Sequence, residues 1–299
     1  MALIKIIPDK TNFKFMNIKK ITLLFSTLFF LMSLFFVFLK GLNFGIDFTG
    51  GILIEARFND EKINLNNIRK ELNNLNLGEI QLQNINNTND LAIRVQRQKG
   101  DEQNQLTAIK KIKDNFSSKN IEYRRTEYVG PKVGKELVKN GTIAVLFALF
   151  GILIYIWLRF EWNYAVGAII ALIHDVFLTL GFFSILQFEF NLATVAAVLT
   201  IAGYSINDTV VIYDRIRENT RKYKQISFDE VINISLNDTL SRTLTTSITT
   251  LLALFALFIF GGNVISSFII ALIWGVVIGT YSSLYLASPL LTYLKVDKR

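Results

Sequence analysis

The chain has 299 residues, 51% of them hydrophobic, with 32 Lys and Arg against 24 Asp and Glu for a formal net charge of +8. So apolar a composition points to a membrane protein rather than a large soluble core, and the Lys and Arg fall mainly in loops, where positive-inside topology explains them better than nucleic acid does. There is no cysteine and one histidine, His174, which excludes disulfides, thiol chemistry and Cys-based metal sites and argues against a zinc centre.

Residues 1–20 are a basic start, with Lys5, Lys10, Lys14, Lys19 and Lys20, followed by an unbroken apolar run over 21–39. That run is too long for an ordinary signal core, and no small-residue cleavage site follows it. It reads as a first transmembrane helix with a cytoplasmic N-terminus. The stretch 41–51 holds four glycines, Gly41, Gly45, Gly50 and Gly51, which implies tight turns rather than helix. Asp47 within it is either a functional acid or, the favoured reading, an acceptor for backbone amides of the turn.

The segment 40–135 reads as a compact domain outside the cytoplasm. Strands are expected over 52–58, 80–85, 91–95 and 121–129, and helices over 63–75 and 103–116. The order βαββαβ is that of the ferredoxin-like split unit. It contains no catalytic constellation, although an exposed sheet edge is a place where a peptide can add as a strand. Gly130 and Pro131 mark the return to the membrane, with Pro131 suited to the first turn of a helix.

Further spans are expected over 142–158, 164–186, 192–213, 244–260 and 265–291. The fold class is thus a multi-pass α-helical membrane protein of six transmembrane helices, with one small α+β domain between the first and second. A cytoplasmic loop over 214–243 joins the fourth and fifth spans. Its Ser227-Phe-Asp-Glu230 has capping-box spacing and starts a short amphipathic helix. A basic tail covers 295–299. Lys and Arg at the termini and inner loops, and their absence from the short outer loops, place both termini inside.

Polar groups recur inside the spans. Asp208 lies about 9 Å deeper than Asp214 at ~1.5 Å per residue, too far for a short side chain to reach the interface. An acid there needs a partner, a water path or a role. Around it in sequence stand Ser205, Asn207 and Thr209. His174 and Asp175 in the third span are either a second relay or, the favoured reading, a satisfied pair that fixes packing. At the start of the fifth span eight hydroxyls between Thr239 and Thr250 flank Arg242. Such hydroxyls can bond their own helix, but their density favours a helix interface or wet path. Arg242 is either a snorkelling anchor or a cation that approaches Asp208. A single carboxyl alternating between neutral and charged suits a proton-coupled conformational machine.

Several stretches carry a family resemblance: Leu42-Asn-Phe-Gly-Ile-Asp-Phe-Thr-Gly-Gly51, Val129-Gly-Pro-Lys-Val-Gly134, His174-Asp175, Gly203-Tyr-Ser-Ile-Asn-Asp-Thr-Val-Val211, Asp214-Arg-Ile-Arg-Glu-Asn219 and Leu240-Ser-Arg-Thr-Leu-Thr-Thr-Ser247. With them, nearly the whole chain resembles the SecD–SecF family of protein-export membrane proteins, on the side of its smaller subunit. The family is a branch of the resistance–nodulation–division superfamily. The resemblance implies a SecD partner with six further spans, association with the SecYEG channel and, in many bacteria, YajC. It implies use of the proton-motive force to draw a translocating polypeptide out on the periplasmic side of the inner membrane. No enzymatic activity and no cofactor or metal are implied; the coupling ion is the proton. Asp208 would be the proton-carrying acid and Arg242 its modulator, with Asn207, Ser205, Thr209, His174, Asp175, Asp214 and Arg215 as supporting polar groups. Asp47, Gly45, Gly50, Gly51, Gly130 and Pro131 belong to structural motifs. Rival readings are a superfamily transporter of lipids or small molecules, disfavoured by the single small outer domain, and an intramembrane aspartyl protease built on Asp175 and Asp208. In the second, neither acid follows the glycine that such a motif requires. A third is a scaffold in which Asp208 only stabilises packing.

Overall fold

The computed structural model describes residues 11–59, 64–85, 89–262 and 265–294, apart from the side chains of residues 131 and 132. The first ten residues and the expected basic tail at 295–299 lie outside the described residues, as does the side chain of Pro131. The chain divides into two compact units, one of residues 44–143 and one of residues 1–43 with 144–299.

A single 3-10 turn, Phe15–Ile18, leads into α1, Lys19–Lys40. The glycine-rich stretch then holds a short strand β1, Asn43–Phe44, and a four-residue helix α2, Ile46–Thr49. The expectation of no helix here is corrected. Gly45 and Gly50 bracket one helical turn, and Ile46 is buried with Leu53 and Ala92 against one face of the sheet. Burial of that isoleucine outweighs the poor helix propensity of so short a segment.

The α/β unit continues with β2, Gly51–Phe58; α3, Leu65–Asn73; β3, Ile80–Ile85; β4, Asp90–Val95; α4, Glu102–Asn115; and β5, Ile121–Val129. The strand order is β3-β4-β2-β5, antiparallel throughout. This is the expected βαββαβ split unit. Alternate residues Ile52, Ile54, Ala56 and Phe58 of β2 meet Ile68 and Leu72 of α3 and Ile112 of α4 in one core, as the period of two along a strand requires. On the other face Leu53 meets α2. Arg57 and Asp90 stand opposite each other on β2 and β4 and form a two-pronged ion pair at 2.6 and 2.8 Å. Gly51 has φ +119°, and a Cβ there would lie 2.6 Å from the Val95 carbonyl oxygen, so only glycine fits. A Cβ at Gly134 would rest 3.5 Å from the Asp47 carbonyl, so the 41–51 and 129–134 motifs, distant in sequence, meet within this unit.

Helix α5, Pro131–Arg159, begins in the α/β unit and ends in the membrane unit. After it come α6, Trp162–Leu186; a two-residue strand β6, Glu189–Phe190; α7, Leu192–Lys222; α8, Phe228–Phe260; and α9, Ser266–Ser282. The last continues through a π-helical turn, Ser283–Ala287, into α10, Ser288–Leu290. Among the described residues six helical stretches are long and apolar enough to cross a membrane: Phe15–Lys40, Val133–Arg159, Trp162–Leu186, Leu192–Lys222, Phe228–Phe260 and Ser266–Leu290.

The expected loop over 214–243 is corrected too. α7 runs on to Lys222 and α8 starts at Phe228, so the connection is short. At ~1.5 Å per residue these helices exceed the ~30 Å hydrocarbon layer and project beyond it. Ile216 of α7 and Val231, Ile232 and Leu236 of α8 are buried, so the projecting ends hold each other in helical form. Ser227 does cap α8, accepting from the Glu230 amide, but the helix it starts is the fifth span itself. Asn191 caps α7 in a reciprocal capping box with Thr194.

The membrane unit packs on small residues. A Cβ at Gly275 of α9 would fall 2.1 Å from Ile201 of α7, one at Gly279 3.1 Å from Ser205, and one at Gly181 of α6 2.4 Å from Ser33 of α1. Glycines four apart on α9 bring its backbone against α7, the close approach that helices in lipid use when no hydrophobic drive separates them from their solvent. Before α1, the Phe13 and Met16 amides donate to the Asn237 and Asn233 side chains of α8 at 2.8 and 3.0 Å, and Lys19 pairs with Asp229 at 2.5 Å. Phe13, Met16 and Lys19 thus fasten the described part of the basic start to α8.

Candidate functional site

α7 carries six of the expected residues, four of them at Asp208 and its neighbours in sequence. Asp208 is 4% exposed, and its Oδ2 has no hydrogen-bond partner among the described residues. Asn207 beside it is exposed. Ser205, three residues before Asp208, donates to Asp175 Oδ2 at 2.5 Å. Thr209 shares a hydrogen bond of 2.9 Å with Ser283.

Asp175, fully buried on α6, is a hub. Its Oδ2 also accepts from Ser282 at 2.6 Å, and its Oδ1 lies 2.9 Å from His174 Nδ1. One carboxyl therefore ties α6, α7 and the end of α9 together. Among the described residues its side-chain hydrogen bonds are to hydroxyls and the imidazole, and none is to Asp208. The two acids do not share a proton, so the dyad that an aspartyl protease needs is not formed.

Arg242 stands on the exposed side of α8. It makes no ion pair with Asp208 within 4.0 Å among the described residues, yet lies near enough to act on that carboxylate electrostatically. The structure brings these two onto adjoining helices and leaves the pair open. The dense hydroxyls of α8 mostly bond their own helix. Thr239 donates to the Ser235 carbonyl, Thr245 to Ser241, Thr249 to Thr245 and Thr250 to Thr246. Among the described residues only Ser247 of these hydroxyls reaches other helices, to Tyr204 of α7 at 3.3 Å and Thr280 of α9 at 2.7 Å. Of the expected helix interface or wet path, the interface is formed at Ser247, while back-bonding within the helix satisfies most of the other hydroxyls locally.

Asp214 and Arg215 belong to a separate clamp at the end of α7. Asp214 pairs with Arg159 of α5 at 2.5 Å, and Arg215 with Asp238 of α8 at 2.8 Å. Asn219 donates to Ser235 and Asp238 at 3.0 and 3.2 Å. Asp47 sits in the first turn of α2, where an acid suits the helix N-terminus.

Sequence reasoning missed Ser282, Ser283 and the π turn. Ser283 donates to the Gly279 carbonyl at 2.9 Å and the Ser205 carbonyl at 3.4 Å, and Ser288 donates to the Ser283 carbonyl at 2.8 Å. Tyr213 of α7 donates to the Ala287 carbonyl at 2.9 Å. The signal was present: a Ser-Ser pair and a Ser-Pro pair in an otherwise apolar span. Pro289 has no N–H for the carbonyl four residues back, so the helix widens before it and its carbonyls take side-chain donors instead.

Residues 108–297 match the family model described as protein export membrane protein SecD/SecF, C-terminal, and residues 35–61 match the SecD/SecF GG motif. The chain belongs to the SecD/SecF family. Among its relatives, the protein translocase subunit SecF of Rickettsia bellii is 48% identical over 292 residues, covering 97% of this chain and 95% of the relative. That of Rickettsia rickettsii is likewise 48% identical, covering 97% and 94%. The crystal structure of SecDF, a translocon-associated membrane protein from Thermus thermophilus, superposes with a TM-score of 0.87 at 35% identity over 99% of this chain. SecDF in its super-membrane-facing form gives 0.69 at 34% identity over 98% of this chain. This chain spans 40% of the length of each of those two. The SecD/SecF GG motif contains α2 and β2, and the C-terminal match contains the Asp175 hub, Asp208 and Arg242.

Proposed function

We propose that the chain is the smaller membrane half of a bacterial SecD–SecF-type export machine. With a SecD partner, and beside the SecYEG channel and YajC, it uses the proton-motive force to promote late steps of polypeptide export. It is a conformational subunit and not an enzyme. It lies in the inner membrane with both termini cytoplasmic and the α/β unit periplasmic, where released polypeptide emerges. Asp208 carries the proton and Arg242 modulates it.

One observation supports this above the rest: Asp208 is buried in a membrane helix with a carboxylate oxygen that has no hydrogen-bond partner among the described residues, and Arg242 on the adjoining helix α8 forms no ion pair with it there. A purely structural acid would be satisfied, as Asp175 is. An unsatisfied one is held for a group that comes and goes. Movement of one charge through the membrane potential yields ~2.3 kcal/mol per 100 mV, and ~1.4 kcal/mol changes a population tenfold. One carboxyl therefore suffices to bias a two-state bundle. The Asp175 hub and the inner clamp supply contacts that α7 must keep or exchange as it moves.

The test is export of a secretory protein into vesicles containing SecYEG, SecA, SecD and either this chain or Asp208→Asn, with and without a proton gradient. Gradient stimulation in the wild type and its loss in the variant, with assembly unchanged, is the expected result. Equal stimulation in both refutes the reading.

A further inference from the structure

The buried hydroxyl of Thr243 stands out on α8. Its neighbours donate to carbonyls of their own helix: Thr239 at 2.9 Å, Thr245 at 2.6 Å, Thr246 and Ser247 each at 2.9 Å. Thr243, 1% exposed, makes no side-chain hydrogen bond among the described residues. The second orphan on this interface is Asp208 Oδ2.

The register of the two helices sets these orphans opposite each other. α7 and α8 run antiparallel, joined by Tyr204 to Ser247 at 3.3 Å towards one end and by Asn219 to Ser235 at 3.0 Å towards the other. One turn along each helix from the first contact stand Asp208 and Thr243. The electrostatic reach of Arg242, next to Thr243, onto Asp208 agrees with this placement. Two buried polar atoms that face one interface without bonding each other define a site for a small group that can donate to one and accept from the other. Water does both, and a buried water needs such partners.

We propose that Asp208 Oδ2 and the Thr243 hydroxyl hold a water between α7 and α8, and that Asp208 exchanges its proton through this water. The hydroxyl donates to the water oxygen, and the water donates to the carboxylate. When the water is protonated from the aqueous side, one of its O–H bonds breaks, an O–H bond forms on Oδ2, and the water is left neutral. Thr243 is a positioning residue: it orients the water and does not itself change charge. The inference rests on the export reading for its purpose but on the helix register for its place.

The charged groups on elements packed against α7 near this point are Arg242 on α8, and His174 and Asp175 on α6, which bond each other and two serines. The stretch 266–290 brings no Asp, Glu, His, Lys or Arg.

The experiment compares wild type, Thr243→Val, Thr243→Ser and Asp208→Asn in the assembled complex. Infrared difference spectra between low and high pH are recorded in ordinary and oxygen-18 water. A water O–H band that shifts with the isotope and accompanies the Asp208 carboxyl band is expected in wild type and T243S, and is expected to vanish in T243V and D208N. In the export assay T243V is expected to move the pH of half-maximal gradient stimulation up by about one unit, because the carboxylate loses a hydrogen-bonded stabiliser, and T243S restores it. An unchanged water band and unchanged midpoint in T243V overturn the proposal. If D208N keeps gradient stimulation, the export reading fails on its own, and the water band alone decides whether the site exists.

Discussion

Removal of the Asp175 carboxyl separates packing from coupling. Asp175→Ala deletes the acceptor of Ser205 at 2.5 Å and Ser282 at 2.6 Å and the partner of His174 at 2.9 Å. Three buried polar groups lose a bond, two of them across helices. Interhelical hydrogen bonds in membrane proteins average about 0.6 kcal/mol, which sets a floor of about 1 kcal/mol for the two that cross helices. Orphaned buried groups cost ~1–3 kcal/mol each where they cannot rebond. Ser282 already donates to the Gly279 carbonyl at 3.2 Å and retreats to it easily, so its share stays near the floor. His174 does not: its Nε2 is already unpartnered among the described residues, and loss of the Nδ1 partner leaves the ring unsatisfied at both nitrogens. The expected loss is therefore ~2–4 kcal/mol for Asp175→Ala, against ~1 kcal/mol for Asp175→Asn, which keeps the shape and one acceptor oxygen. Reversible unfolding of the purified protein in mixed micelles, titrated with a denaturing detergent, reads both. If the two variants fall within ~0.5 kcal/mol of each other, the hub does not act through its hydrogen bonds and the reasoning is wrong.

Asp208→Asn is expected to change unfolding stability by less than ~0.5 kcal/mol in the same assay, because the atom it alters has no hydrogen bond to lose; a loss above ~2 kcal/mol identifies a hidden structural partner. Gly275→Ala places a Cβ 2.1 Å from Ile201 and is expected to cost ~1–3 kcal/mol by overpacking. Ile201→Ala is expected to recover part of that cost in the double variant, whereas additive effects exclude the contact. Gly51→Ala, strained at φ +119° and blocked by the Val95 carbonyl, is expected to expose the α/β unit to protease in the intact chain while the membrane unit stays resistant. In the same unit, burial first and the Asp114 charge second raise the Tyr123 hydroxyl above its ordinary value near 10. The folded unit then binds that proton more tightly than the unfolded chain does, so stability falls as pH rises above 10, and Tyr123→Phe is expected to flatten that fall in a pH-dependent melt.

The six spans and the βαββαβ order were legible in the one-dimensional pattern, as was the presence of an acid, Asp208, inside one of the apolar spans. Apolar runs of bilayer length and alternation along strands are local signals, and an acid inside such a run is conspicuous because lipid cannot solvate it. Helix ends were less legible. Nothing in 214–243 states that α7 and α8 continue past the bilayer, since that follows from Ile216 packing in one core with Ile232 and Leu236 once the helices lie side by side. The helical turn of α2 was hidden by its glycines, because the burial of Ile46 against Leu53 is a contact with the sheet and leaves no local mark.

By itself the amino-acid order determined which polar groups enter the membrane, since transfer of each residue into lipid depends on its own chemistry. Only the tertiary structure decided which of them are satisfied. Ser205 and Asp208 are three residues apart on one helix, close to a full turn, yet one donates to Asp175 and the other keeps an unpartnered oxygen. That difference comes from what α6, α8 and α9 present to each side of α7, and close packing at Gly275 and Gly279 sets those neighbours in place. A hydrogen bond depends on distances between helices that share no sequence neighbourhood, and those distances exist only once the bundle has formed.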